Sequence, residues 1–143
     1  MILEDEAATA RFAARLAPLL RAGDVVTLSG GLGAGKTTLA RALLAALGHQ
    51  GEVPSPSFAI VQPYEHLGLP VWHADLYRIE DPSELLELGL DDAAGLLVVE
   101  WPERAGTNAW PDALRLTLSI EPDGRRRLTA EAGSAWERRW PLR

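Results

Sequence analysis

The first half of the chain alternates short apolar runs with helical patterns and predicts a β-loop-α unit. Residues 24–29 form an apolar run that predicts a strand, and residues 38–47 carry leucines at helical spacing on one face. Residues 1–22 predict a short strand and then a helix, with Asp5 as its N-cap and Gly23 as its end. A glycine-rich segment joins the strand at 24–29 to the following helix.

The middle of the chain contains an extended pair and a short helix. Two prolines make residues 52–58 a stiff loop that cannot be helical. Residues 58–64 and 71–77 are extended and separated by a turn, so we expect them to pair as a hairpin. Residues 82–88 predict a helix that ends at Gly89, with Asp81 or Ser83 as the candidate cap.

The last third of the chain adds a buried strand and a second hairpin. Residues 96–100 form a continuous apolar run ending in Glu100, which is typical of a parallel strand buried on both faces. Residues 114–120 and 125–132 alternate about a Pro-Asp-Gly turn and predict a hairpin. Together the elements predict an α/β fold in one domain of residues 1–143, with a mixed, mostly parallel sheet flanked by helices and a C-terminal β-hairpin.

Composition limits the function classes. A chain of 143 residues fits one domain, and 14 basic against 20 acidic residues give a net charge of −6. That balance is unlike a protein whose main task is binding nucleic-acid phosphate. With no cysteine and three scattered histidines, the sequence shows no metal-ligand pattern of zinc type. The start is acidic and no apolar run approaches transmembrane length, so we expect a cytoplasmic protein without a membrane partner.

Residues 30–37 carry the candidate chemistry. They read GGLGAGKT and match G-x-x-x-x-G-K-[ST] between a predicted strand and a predicted helix, as a P-loop NTPase-like domain requires. Glycines let phosphate oxygens approach backbone N–H groups, and the helix N-terminus adds partial positive charge. Lys36 would contact the phosphates and the hydroxyl of Thr37 would bind Mg²⁺. Lys36 is also the single lysine of the chain, which argues against a plain glycine-rich turn.

Two acids at strand ends are candidates for the metal site. Glu100 follows the more apolar run, so we favour it as the Mg²⁺ ligand, and Asp75 would position the attacking water or support the metal. Ser57, on the stiff loop, is either a sensor of the terminal phosphate or a plain turn serine.

Three other features have a structural interpretation beside a functional one. Trp101 either packs beside a nucleotide or only against the core, with the latter favoured. We interpret His73 as a satisfied structural histidine. The arginines at 125–127 are interpreted as a solvated strand face, from which one could reach a phosphate.

Four segments taken together resemble one family. They are LGAGKTT at 32–38, SPSF at 55–58, HADLYR at 73–78 and VEW at 99–101. In this order they resemble the TsaE (YjeE) P-loop ATPases of bacterial tRNA threonylcarbamoyladenosine synthesis, and the resemblance covers nearly the whole chain.

The resemblance implies ATP and Mg²⁺ as ligands and a role for each matching residue. The implied catalytic residues are Lys36, Asp75 and Glu100, and the implied metal ligands are Thr37 and Glu100. The implied ATP-binding residues are Thr9, Leu32, Gly33, Ala34, Gly35, Lys36, Thr37, Thr38 and Ser57. Ser57 stands where the family usually has threonine, and Gly31 replaces the usual aspartate of its loop, which puts any role of that acid in doubt.

The resemblance also implies what the ATPase serves. It would drive or reset the complex that forms threonylcarbamoyladenosine at position 37 of ANN-decoding tRNAs. The expected partners are a TsaB–TsaD-like protein pair, with tRNA reached indirectly through that complex.

Three alternative classes remain. A small P-loop kinase would also need an acceptor pocket and an arginine-bearing lid, for which 143 residues leave little room. A GTPase would need a second lysine in its guanine-reading motif, and residues 92–95, although they spell D-x-x-G, read as a turn. A nucleotide-gated binding module with little hydrolysis is the third.

Overall fold

One seven-stranded sheet organises the structure, with strand order β1-β7-β6-β2-β5-β4-β3. The computed structural model describes residues 1–53, 61–90, 94–106 and 109–140. The strands are β1 (Ile2–Leu3), β2 (Val25–Ser29), β3 (Val61–Tyr64), β4 (Val71–Asp75), β5 (Leu96–Glu100), β6 (Leu114–Ile120) and β7 (Arg126–Ala132).

The centre of the sheet is parallel and its two edges are antiparallel. Strand β2 pairs in parallel with β5 and β6, and β5 pairs in parallel with β4. The antiparallel pairs are β3 with β4, β6 with β7 and β1 with β7. The predicted α/β class, the mixed sheet and the C-terminal hairpin are therefore confirmed, although among the described residues the mixed sheet has as many antiparallel strand pairs as parallel ones, three of each.

Within the described residues, three α-helices accompany the sheet: α1 (Glu6–Leu16), α2 (Lys36–Ala46) and the short α3 (Leu85–Leu88). The carboxylate of Asp5 accepts a hydrogen bond from the N–H of Ala8, as predicted for the cap of α1. The α-helix ends at Leu16, well before Gly23, and continues as a 3₁₀ turn that contains Pro18. Proline lacks the N–H that another α-helical turn would need.

The predicted helix at 82–88 divides into a 3₁₀ turn, Pro82–Glu84, and α3. Its cap is Asp81, whose carboxylate accepts from the N–H of Ser83. Gly89 ends the helix with a positive φ of 66°, as expected. No helix within the described ranges is long and apolar enough to span a membrane.

Helices α1 and α2 cover one face of the sheet and form the larger part of the core. Leu16 and Leu43 pack there against Leu28, Val98 and Leu116, all essentially inaccessible to solvent. Full burial of such a side chain contributes about 1.5–3 kcal/mol. Alternation along β5 sends Leu97 and Val99 to a smaller cluster on the opposite face, and the even-numbered residues to the face covered by α1 and α2.

The parallel centre brings the ends of three strands together. Leu28 of β2 lies opposite Glu100 of β5, which in turn lies opposite Asp75 of β4. The carboxyl ends of neighbouring parallel strands are where open α/β sheets place their ligand sites. Ser57 and Asp92 lie outside the described residues.

Candidate active site

The glycine-rich segment forms a tight loop between β2 and α2. Gly30, Gly33 and Gly35 have positive φ values of 143°, 77° and 106°, a region that side chains with a Cβ rarely adopt. At Gly30 a Cβ would also lie 2.3 Å from the carbonyl oxygen of Leu118. The loop conformation therefore depends on glycine, and α2 begins at Lys36, directly after Gly35.

Lys36 folds back into this loop. Its ammonium donates to the carbonyls of Gly30 at 2.7 Å and Gly31 at 2.8 Å, and lies 4.2 Å from the ring centroid of Trp101. The side chain is 5% exposed. Burial lowers the pKa of Lys36, while the nearby carboxylates, Glu100 foremost, act to raise it. Within the described residues, the hydrogen bonds that the Lys36 ammonium donates go to neutral carbonyls, so this buried cation is well placed to bind an anion.

The acid that ends β5 contacts the first turn of α2. The hydroxyl of Thr37 donates to Oε1 of Glu100 at 2.9 Å. The second oxygen of Glu100, Oε2, lies 2.6 Å from Nε2 of His73. Glu100 is 2% exposed and His73 is completely buried. Both carboxylate oxygens thus have a partner, as a buried anion requires.

Asp75 ends β4 directly beside Glu100. It is 8% exposed, and its Oδ1 accepts a hydrogen bond from the N–H of Tyr77 at 2.9 Å. Burial raises the pKa of Asp75 and the nearby charge of Glu100 raises it further, although the Tyr77 hydrogen bond opposes them. Two adjacent acids with unequal surroundings are a common arrangement at catalytic sites.

Trp101 lies next to the two acids in a strained backbone conformation. Its φ of 58° is the one positive value among the non-glycine residues that the structure describes. The indole packs against Tyr77, with ring centroids 4.9 Å apart, and underneath the ammonium of Lys36. Strained conformations of this kind cluster at functional sites. Trp101 therefore contacts the candidate site and not only the core.

These groups line a cavity of about 430 Å³ at the carboxyl edge of the sheet. The phosphate-loop residues on its wall are Leu32, Gly33, Gly35, Lys36, Thr37 and Thr38, and Asp75, Tyr77, Arg78, Glu100 and Trp101 complete it. The Thr37 hydroxyl and the Glu100 carboxylate are hard oxygen donors, the type that Mg²⁺ prefers. The residues present therefore fit a phosphate chain with magnesium.

A smaller hollow of about 170 Å³ lies on the other side of the loop. Thr9 of α1 lines it together with Ala34, Gly35 and Thr38, so the two cavities share part of the loop. Thr9 donates to the backbone carbonyl of its own cap residue, Asp5, at 3.4 Å.

Arg126 fastens the phosphate loop to the C-terminal hairpin. Its Nε donates to the carbonyl of Ala34 at 3.0 Å, and its second guanidinium nitrogen donates to that of Gly33 at 3.2 Å. The interpretation of residues 125–127 as a solvated strand face is therefore wrong for Arg126, which is half-buried in contact with the loop. Arg125 and Arg127 are exposed and pair with Asp123 and Glu121.

The structure brings together most of the residues singled out from sequence, apart from Ser57, whose position lies outside the described residues. The sequence did not predict two contacts, that of His73 with Glu100 and that of Arg126 with the phosphate loop. The interpretation of His73 as a satisfied histidine is incomplete, because its Nε2 faces Glu100 while its Nδ1 has no hydrogen-bond partner within the described residues. The spacing His-x-Asp, which places both side chains on one face of a strand, was an available signal. For Arg126 the local sequence carries no comparable signal.

Fold and loop together define a P-loop NTPase-like α/β domain. Comparison with known proteins narrows this class. The family model described as "Threonylcarbamoyl adenosine biosynthesis protein TsaE" matches residues 3–128. The chain therefore belongs to the TsaE family, whose members take part in tRNA threonylcarbamoyladenosine biosynthesis.

Curated relatives and a solved structure agree with this assignment. The tRNA threonylcarbamoyladenosine biosynthesis protein TsaE of Bacillus subtilis is 37% identical over 94% of this chain and 84% of its own length. The TsaE proteins of Haemophilus influenzae and Streptomyces coelicolor are 39% and 47% identical, over 78% and 73% of this chain and 75% and 74% of their own. The crystal structure of Bacillus subtilis YdiB superposes with a TM-score of 0.81 at 30% identity, covering 94% of this chain and 85% of that one.

Proposed function

We propose that this chain, as a single domain of residues 1–143, is a Mg²⁺-dependent ATPase that acts in the cytoplasm. Its hydrolysis of ATP would drive or reset the protein complex that forms threonylcarbamoyladenosine at position 37 of ANN-decoding tRNAs. The observation that carries the proposal is the 2.9 Å hydrogen bond from Thr37 to Glu100 beside the buried ammonium of Lys36. Family membership supports the role in tRNA threonylcarbamoyladenosine biosynthesis.

Lys36 and the loop glycines would bind the phosphates. Phosphate oxygens are stronger acceptors for an ammonium than neutral carbonyls, so bound phosphate would draw Lys36 from the carbonyls of Gly30 and Gly31. Backbone N–H groups at the start of α2 would add further donors. Leu32, Gly33, Ala34, Gly35, Thr37 and Thr38 would complete the phosphate site, with Ser57 as a proposed sensor of the terminal phosphate and Thr9 near the nucleoside.

Thr37 and Glu100 would hold the metal, and Asp75 would act on water. When bound, magnesium supplies positive charge that stabilises phosphoryl transfer. Asp75 lies beside Glu100, and its raised pKa makes its carboxylate a stronger base than that of an ordinary aspartate. It would orient the attacking water and accept its proton.

Hydrolysis in this chain would be coupled to other proteins. The net charge of −6 favours a protein partner over direct binding of tRNA. The partner proposed is a TsaB–TsaD-like pair, to which the ATP-bound chain would bind more tightly than the ADP-bound chain. The tRNA would be reached through that pair.

The test is tRNA modification by the purified pair under multiple-turnover conditions, with and without this chain. We expect repeated rounds only when the chain is present and both Lys36 and Glu100 are intact. Binding of the pair should be compared in ATP, ADP and no nucleotide. Equal modification with and without the chain would contradict the coupling, and nucleotide-dependent binding without hydrolysis would favour a nucleotide-gated binding module instead.

A further inference from the structure

We propose that His73 is a positioning residue for the metal-binding carboxylate. Its Nε2–H holds one oxygen of Glu100 and leaves the other directed at Thr37 and Mg²⁺. This inference rests on the proposed function, because it requires that Glu100 binds Mg²⁺.

The contact is short and isolated from solvent. His73 Nε2 lies 2.6 Å from Glu100 Oε2, with the two side chains 0% and 2% exposed. An ionised carboxylate can only accept hydrogen bonds, so Nε2 carries the hydrogen in this pair. A charge-assisted bond of this kind is shorter and about twice as strong as a neutral one. It fixes Oε2, so Oε1 remains for the Thr37 hydroxyl.

The sheet explains why a histidine at this position reaches the acid. His73 and Asp75 are two residues apart on β4 and face the same side, and Asp75 lies opposite Glu100 on β5. His73 itself lies opposite Val98, two residues before the Asp75–Glu100 pair. The histidine therefore approaches Glu100 from the core side, away from the cavity that Asp75 and Glu100 line.

Within the described part of the chain, Nδ1 of His73 is buried without a hydrogen-bond partner. Buried polar atoms are nearly always paired, and an unpaired one in a native fold calls for an explanation. An apolar side chain would fill the same space without that cost, so the bond to Glu100 is what distinguishes histidine here.

The experiment measures binding of Mn²⁺, a spectroscopic substitute for Mg²⁺, to the full chain with ADP. His73→Leu keeps the packing but removes the donor, and we expect it to weaken Mn²⁺ binding about 10–100-fold. Affinity for ADP in the presence of a chelator should stay unchanged. His73→Gln can place an amide N–H near the position of Nε2 and should restore most of the affinity, whereas the shorter His73→Asn should not. Val71→Ala, equally buried and on the same face of β4, is the control: it should lower stability but not metal affinity.

Wild-type Mn²⁺ affinity in a folded His73→Leu protein would overturn the inference, as would an equal loss in the Gln and Asn variants. If the Leu variant does not fold, the Gln and Asn pair decides alone. If the unaltered protein binds no Mn²⁺ with ADP, the proposed function fails and this inference with it. Normal binding by the unaltered protein and by every His73 variant would remove only the role of His73.

Discussion

The hydroxyl of Thr37 and the carboxylate of Glu100 are joined by a 2.9 Å hydrogen bond across 63 positions of sequence. Thr37 belongs to the first turn of α2 and Glu100 ends β5. The contact arises because β2, which leads into the phosphate loop, is the parallel neighbour of β5. The sheet thus places a hydroxyl and an acid, both suited to magnesium, at the base of the loop.

The two acids should differ in what their loss affects. Glu100→Gln removes a charge that contacts Thr37, and we expect Mg²⁺ affinity to fall at least about tenfold. Asp75→Asn should leave metal affinity nearly unchanged and lower turnover about 10²-fold, because it removes a base. Titration of Mg²⁺ against ATP hydrolysis measures both effects. A larger metal defect in the Asp75 variant would reverse the two assignments.

The ionised side chain of Asp75 should also lower the stability of the folded protein at neutral pH. Its pKa is raised by burial in the folded state, so the folded protein binds that proton more tightly than the unfolded chain does. The resulting contribution to stability is present below about pH 4 and is lost as pH rises through the raised pKa. Asp75→Asn should therefore have a higher melting temperature than the unaltered protein at pH 7, and the difference should shrink on acidification. The Asn oxygen can still accept from Tyr77. A variant that is less stable at pH 7 would contradict this account of Asp75.

Substitution of Arg126 should weaken ATP binding by the phosphate loop, whereas substitution of Arg125 should not. Arg126→Gln removes the guanidinium that donates to the carbonyls of Ala34 and Gly33. Each hydrogen bond from a charged group contributes roughly 1.5–3 kcal/mol to stability. Because these two bonds hold the loop in the conformation that would bind phosphate, we expect ATP affinity to fall about tenfold or more. Arg125→Gln is the matched control, because Arg125 is exposed and its ion pair in the described part of the chain is with Asp123, two residues away. Calorimetric titration with ATP compares the two. Equal affinities in both variants would show that Arg126 does not order the loop.

The strands and the phosphate loop could be predicted because each is encoded by residues that are adjacent in sequence. The continuous apolar run before Glu100 predicted a buried parallel strand, and the glycines at 30–35 predicted the loop. Residues 125–127 look alike in sequence, yet their surroundings differ. Arg126 reaches the loop because β7 pairs with β6, the neighbour of β2, a relationship that no local pattern encodes.

The choice of partners for buried polar groups was equally hard to predict. His73 lies within an apolar strand, and its pairing with Glu100 depends on the register between β4 and β5. Register follows from the packed sheet and not from the strand alone.

The end of α1 depended on Pro18, a local signal that outweighed the helical spacing beyond it.

The most direct test of the central claim is ATP binding and single-turnover hydrolysis by the purified chain with Mg²⁺, compared with Lys36→Ala and Lys36→Arg. Lys36 faces the loop carbonyls and the cavity, so circular dichroism should show that both variants remain folded. The account predicts slow but measurable hydrolysis by the unaltered chain and a loss of at least about 10²-fold in Lys36→Ala. Lys36→Arg should restore little, because a guanidinium does not replace a compact ammonium. Equal ATP binding and hydrolysis in the unaltered chain and a folded Lys36→Ala protein would contradict the account.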